Sequence, residues 1–191
     1  MSNSIHILGI SGSLRKASYN TAALRAAQEL VPEGMTLEIF DLTPIPLYNE
    51  DIREKGLPPA VEDFRNRIKS TDGLLIVTPE YNYSVPGVLK NAIDWASRPP
   101  DQPFDGKPIA IMGASPSFLG TARAQYHLRQ CFIYLNGIIL NRPEIMIANA
   151  PSKFDGEGRL TDQKTRELIG ELLNQLKLHV EQSCAFRESK L

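Results

Sequence analysis

Two short stretches of this chain hold residue types suited to gripping a phosphorylated aromatic ligand. The first is Ser11-Gly12-Ser13-Leu14-Arg15-Lys16-Ala17-Ser18-Tyr19-Asn20, set between an apolar run and an amphipathic one. A phosphate needs several N–H and O–H donors and positive potential, and a helix N-terminus supplies free amides and a favourable dipole. Ser11, Ser13 and Ser18 add hydroxyls, Asn20 adds an amide, and Arg15 offers a planar fork matched to phosphate oxygens. The plainer reading is that Ser18 or Asn20 only caps the next helix and Arg15 is solvated. Gly12 and Arg15 in one turn favour the phosphate.

The second stretch is Pro79-Glu80-Tyr81-Asn82-Tyr83-Ser84-Val85-Pro86-Gly87. Pro79 lacks an N–H and biases Thr78 towards an extended shape, so a strand ends there. The amides that follow are free to meet the edge of a flat heteroaromatic ring. Tyr81 and Tyr83 bring aromatic area, and Asn82 tolerates unusual turn angles. Packing is an equal use for the two tyrosines, and Glu80 serves either as a surface acid or as the ion-pair partner of a distant base. A third polar turn reads Ser115-Pro116-Ser117.

Rival chemistries lack their residues. No GK[ST] follows the first apolar run, so a Walker A loop is excluded, and Gly9 and Gly12 alone do not make GxGxxG. Gly9-Ile10-Ser11-Gly12-Ser13 fails GxSxG at its last position, and no histidine follows a late strand to complete a triad. A receiver domain would need carboxylates where Ser11 and Gly12 stand. His6, His127 and His179 are scattered, and Cys131 and Cys184 form no CxxC pair, so no metal site is expected. Cys131, among Leu128, Phe132 and Leu135, reads as a small buried hydrophobe.

Alternating strands and helices must position these loops. Strands are expected at 5–10, 35–40, 73–78 and 108–114, with a fifth, broken one at 138–140 and 144–147. Helices are expected at 20–31, 61–68, through Val88 to Ala96 with Pro86 in the first turn, 121–135, and from a Thr161 N-cap to Glu181. The run Gly73 to Thr78 is apolar on both faces, as a central parallel strand requires. Such alternation implies right-handed crossovers and a parallel sheet covered on both sides. Five strands at this length fit a flavodoxin-like three-layer sandwich of order 2-1-3-4-5, whose ligands sit beyond the C-terminal strand ends. The polar loops after strands one, three and four converge there. The Pro-rich stretch 41–59 is either a functional loop or a surface wrap.

Composition narrows the class further. With 191 residues, the chain 1–191 is expected to be a single domain. Hydrophobic residues at 42% and charged ones at 23% exclude a disordered chain. Twenty-one basic against 22 acidic residues exclude the basic excess of nucleic-acid binders. No apolar run approaches the roughly 20 residues of a bilayer span, and Met1 to Ser4 show no basic segment, so a cytoplasmic location is expected.

The run Gly12 to Asn20, together with Thr78 to Gly87 and Leu89-Lys90-Asn91-Ala92-Ile93-Asp94-Trp95, resembles the NADPH-dependent FMN reductases, with the chromate/quinone reductase branch nearest. The similarity extends to about Glu144. The resemblance implies non-covalent FMN, with its phosphate on Ser13, Arg15, Ser18 and Asn20 beside Gly12. It places Pro79, Glu80, Tyr81 and Asn82 along the flavin ring and Ser115 next to it. It also implies NADPH or NADH as hydride donor and quinones, chromate or similar small acceptors. The flavin would carry the chemistry, so no catalytic side chain is assigned. A homodimer or homotetramer is implied too, with Tyr83, Arg123, Tyr126 and Glu144 as candidate contacts or as an ordinary surface cluster. A flavodoxin-like electron carrier with no NAD(P)H oxidation of its own is the alternative.

Overall fold

In the computed structural model, which describes residues 4–188, the central strands alternate their side chains between two apolar layers. Ile7, Leu75, Val77, Ala110 and Met112 face one layer, and Leu8, Ile10, Leu74, Ile76, Ile109 and Ile111 face the other. Period-two alternation in a strand apolar on both faces requires cover on both sides. Residues 1–3, part of the non-basic start of the chain, lie outside the described residues.

The strands are β1 (Ile5–Ser11), β2 (Met35–Phe40), β3 (Gly73–Val77), β4 (Pro108–Ala114), β5 (Ile138–Ile139) and β6 (Ile145–Ile147). The helices are α1 (Tyr19–Glu29), α2 (Glu50–Arg53), α3 (Pro59–Ser70), α4 (Gly87–Ala96), α5 (Ala122–Tyr134) and α6 (Gln163–Glu188). All pairings are parallel in the order β2-β1-β3-β4-β5, with β6 also on β4. The broken fifth strand is therefore real: β5 pairs with Pro108 and Ile109, and β6 with Met112 to Ala114. Helices α1 and α6 cover one face, and α3, α4 and α5 the other. This is the flavodoxin-like order, and it reverses at β1.

Some expected boundaries move, for local reasons. Pro86 stands at the N-cap of α4 rather than inside its first turn. Thr161 does not cap α6; its hydroxyl donates to Lys153 O at 3.2 Å, and Asp162 accepts from Thr165 N at 3.0 Å instead. An aspartate with a free carboxylate outcompetes a threonine whose hydroxyl is already engaged. The 41–59 stretch holds the short α2 and packs down as a wrap. Asn91 accepts from Tyr48 N at 2.7 Å, and Trp95 Nε1 donates to Pro46 O at 2.8 Å. Cys131 is half-buried rather than enclosed, and burial pushes its thiol pKa up. No helix among the described residues is long and apolar enough to cross a membrane.

Candidate functional site

β1, β3 and β4 finish almost level, with Ser11 opposite Val77 and Val77 opposite Met112. Pairing runs one residue further: Gly12 N donates to Val77 O at 2.8 Å and Thr78 N to Met112 O at 2.9 Å. The three polar loops therefore leave the sheet side by side. Gly12 permits their closeness, since a Cβ there would stand 3.1 Å from Pro79 and 3.2 Å from both Pro86 and Leu89. Gly113 permits it from the other side, where a Cβ would lie 2.1 Å from Thr78 O.

In the first loop Ser18 is the N-cap of α1, accepting from Asn20 N at 3.2 Å and Thr21 N at 3.3 Å. Ser13 accepts from Arg15 N at 3.3 Å. Both serines are buried, and a hydroxyl that accepts from the backbone keeps its own proton to give. Ser11 is engaged with Thr21, oxygen to oxygen at 2.8 Å. Among the described residues the amides of Ser13, Leu14, Lys16 and Ala17 have no partner, and no acid stands in the first turn of α1. Arg15 is exposed beside them. Asn20 turns away from the loop. Its Nδ2 donates to Ala114 O at 2.9 Å and its Oδ1 accepts from Ala114 N at 2.8 Å. That buried amide ties the phosphate-loop helix to the end of β4.

The second loop is a two-residue hairpin. Tyr81 N donates to Ser84 O at 3.2 Å and Ser84 N to Tyr81 O at 3.0 Å. Asn82 and Tyr83 both adopt left-handed backbone, at φ 50° and 66°, as such turns require. Asparagine does so readily, whereas tyrosine needs outside support. That support is Arg123, whose guanidinium lies 3.7 Å over the Tyr83 ring centre. Arg123 in turn donates to Glu80 Oε1 at 2.7 Å. Glu80 Oε2 accepts the amides of Arg123 at 3.0 Å and Ala124 at 3.2 Å, so this carboxylate caps α5. Of the two readings of Glu80 the ion pair holds. Tyr83 is taken up by the same brace, while Tyr81 is 51% exposed with no ring against it.

In the third loop Ser115 donates to Ser117 Oγ at 3.2 Å and accepts from Ser117 N at 3.2 Å, so its hydroxyl serves its own turn. Phe118, three residues on, is 79% exposed and is not among the residues that sequence patterns single out. An exposed aromatic in a Ser/Pro/Gly loop was the available signal. Of the remaining candidate subunit contacts, Tyr126 donates to Glu144 at 3.4 Å.

Two clefts of about 360 and 300 Å³ flank the first loop. Asp155 and Glu157 on the larger one are not free anions: both pair with Arg159. The Arg159 amide, with its guanidinium, holds the Asp155 carboxyl below the usual carboxylate range. Hydroxyls with a proton to give, unpartnered amides, an unpaired arginine and a helix N-terminus fit a phosphate monoester. The exposed edge of the second loop fits a flat ring beside it. Those are the two ends of FMN.

The fold is of the doubly wound α/β class, with three polar loops side by side at the C-terminal ends of β1, β3 and β4. The model of the NADPH-dependent FMN reductase family matches residues 5–152, and the chain belongs to that family. It is 61% identical over 180 residues to an NAD(P)H-dependent FMN reductase of Pseudomonas aeruginosa, covering 94% of this chain and 97% of that one. To a quinone reductase of Escherichia coli it is 44% identical over 176 residues, covering 90% and 94%. Among solved structures, the flavoenzyme NAD(P)H:acceptor oxidoreductase FerB of Paracoccus denitrificans superposes with a TM-score of 0.85 at 32% identity, covering 94% and 98%. The chain is an NAD(P)H-dependent oxidoreductase that works through FMN.

Proposed function

We propose that reducing equivalents pass from NAD(P)H through FMN to quinones, with chromate and similar small oxidants as further acceptors. One observation carries the placement of the cofactor: buried Ser13 and Ser18 both accept from the backbone, which leaves their own protons free to be donated to an anion. In this reading the phosphate takes those hydroxyls, the free loop amides and Arg15, while Gly12 allows the close approach. Asn20 acts by fixing the helix to β4. Pro79, Asn82 and Tyr81 border the ring, Glu80 holds their hairpin, and Ser115 shapes the third wall.

When bound, the flavin supplies the two-electron chemistry. The hairpin of Tyr81 to Ser84 would hold the ring, and its exposed edge would leave room for donor and acceptor. Positioning within roughly 3–3.5 Å is the main contribution asked of these residues. In this reading no side chain is needed as acid or base. The intracellular supply of NAD(P)H supports a cytoplasmic location. The exposed side of α5, with Tyr83, Arg123, Tyr126 and Glu144, is proposed as the contact surface of a homodimer or homotetramer.

Arg15→Ala tests the placement. The variant should stay folded and lose FMN on gel filtration, with its FMN Kd raised at least tenfold, about 1.4 kcal/mol. Full retention of flavin would remove Arg15 from the site. Steady-state comparison of benzoquinone, chromate and an azo dye should rank the quinone first by kcat/KM.

A further inference from the structure

Positive charge on this molecule is unevenly compensated. Arg53 pairs with Glu50, Arg67 with Glu38 and Asp63, Arg123 with Glu80, Arg159 with Asp155 and Glu157, and Arg166 with Glu29. Buried Arg65 donates to the main-chain carbonyls of Ala96, Arg98 and Pro100. Lys55, Lys69 and Arg142 stand without a partner among the described residues, each apart from the others, whereas Arg15, Lys16 and Arg25 stand together. None of the three side chains has a hydrogen-bond or ionic partner among the described residues, and all three line both clefts beside the phosphate loop.

The acids on those clefts compensate them only in part: on the smaller one Asp41 is the single carboxylate facing three cations. Asp155 and Glu157 are held by Arg159, and Asp41 accepts from Thr43 N at 2.9 Å and Thr43 Oγ1 at 2.7 Å. The first turn of α1 carries no acid. Arg15 and Lys16 stand before the positive end of α1 and Arg25 lies further along it; such like charges repel one another, and an anion relieves them. One phosphate uses Arg15 and the loop donors. Arg25 stands almost two turns further along α1 from Ser18, roughly 10 Å of rise. That spacing leaves room for a second phosphate beside the first.

NADPH and NADH differ only by a 2′-phosphate. We infer that Lys16 and Arg25 bind the 2′-phosphate of NADPH and give the enzyme its preference for NADPH over NADH. The donor's adenosine end then runs back over the phosphate loop while its nicotinamide lies on the ring. This inference rests on the FMN placement proposed above.

The test is titration calorimetry of the FMN-loaded protein with adenosine 2′,5′-bisphosphate and with 5′-AMP. The wild type should bind the bisphosphate at least tenfold more tightly, and raised salt should shrink that margin. Lys16→Ala and Arg25→Ala should each reduce the margin several-fold, and the double variant should abolish it. FMN per chain should stay unchanged, and the NADPH-to-NADH ratio of kcat/KM should fall in parallel. Lys55→Ala, an exposed lysine away from the clefts, should keep the margin. A margin that survives in the double variant, is missing in the wild type, or vanishes in Lys55→Ala would overturn the inference. So would loss of FMN with nucleotide preference intact, which would assign the cations to the flavin phosphate. Failure of the FMN placement reads out separately, as retention of flavin by Arg15→Ala.

Discussion

Substituting Glu80 separates holding a ligand from holding a loop. Its side chain is only 8% exposed, and its two oxygens meet the Arg123 guanidinium and the amides of Arg123 and Ala124. Glu80→Ala removes the cap of α5, which costs about 1 kcal/mol. It also strands Arg123, but that side chain is 33% exposed and water recovers part of the pairing. A further 1–2 kcal/mol, roughly, is a fair sum for the charge-assisted bonds. The total of about 2–3 kcal/mol, with a urea m-value near 2 kcal/mol/M, lowers the midpoint by about 1–1.5 M. Glu80→Gln keeps an acceptor for one amide and should lose about half as much. The assay is urea unfolding of flavin-free protein followed by circular dichroism, so that no ligand contributes. An alanine variant within about 0.5 kcal/mol of the wild type would refute the brace. Glu80 would then be a ligand residue after all.

Asn20→Ala strands the buried amide and carbonyl of Ala114 and should cost about 3 kcal/mol, or roughly 9 °C of Tm at this chain length. An unchanged Tm with lost flavin would show that Asn20 serves the phosphate and not β4. Acid should destabilise the segment leading into α6. The Thr165 hydroxyl holds the Asp162 carboxyl below its ordinary range, and the Arg159 amide does the same for Asp155. Groups with depressed folded pKa values stabilise the protein above the unfolded value and lose that contribution as pH falls through the folded one. Stability should therefore drop below about pH 4, and less steeply in Asp162→Asn. Thermal scans across that interval, with equal slopes for the two proteins, would contradict the assignment.

The sheet was legible because its pattern is local. Ile5 to Ile10, Gly73 to Val77 and Pro108 to Ala114 are apolar on both faces, and only a covered parallel sheet satisfies such runs. The break between β5 and β6 was legible too, since Asn141 to Glu144 interrupts the apolar run with polar and proline residues. What escaped is long-range. Glu80 lies 43 positions from Arg123, and no local spacing reveals that its carboxylate caps α5. Asn20 and Ala114 are 94 positions apart. The motif Gly12 to Asn20 marks the loop, but which of its donors point outwards depends on hydrogen bonds that form only once the chain is folded. Arg25 was unremarkable in the sequence, and its lack of a partner is visible only in three dimensions.

The most direct measurement is an absorbance spectrum of the FMN-reconstituted protein under anaerobic conditions, before and after NADPH, with a quinone added last. An oxidised flavin band should bleach at once with NADPH and return in full with the quinone. A bound flavin that stays oxidised under excess NADPH and NADH would contradict it and leave an electron carrier in its place.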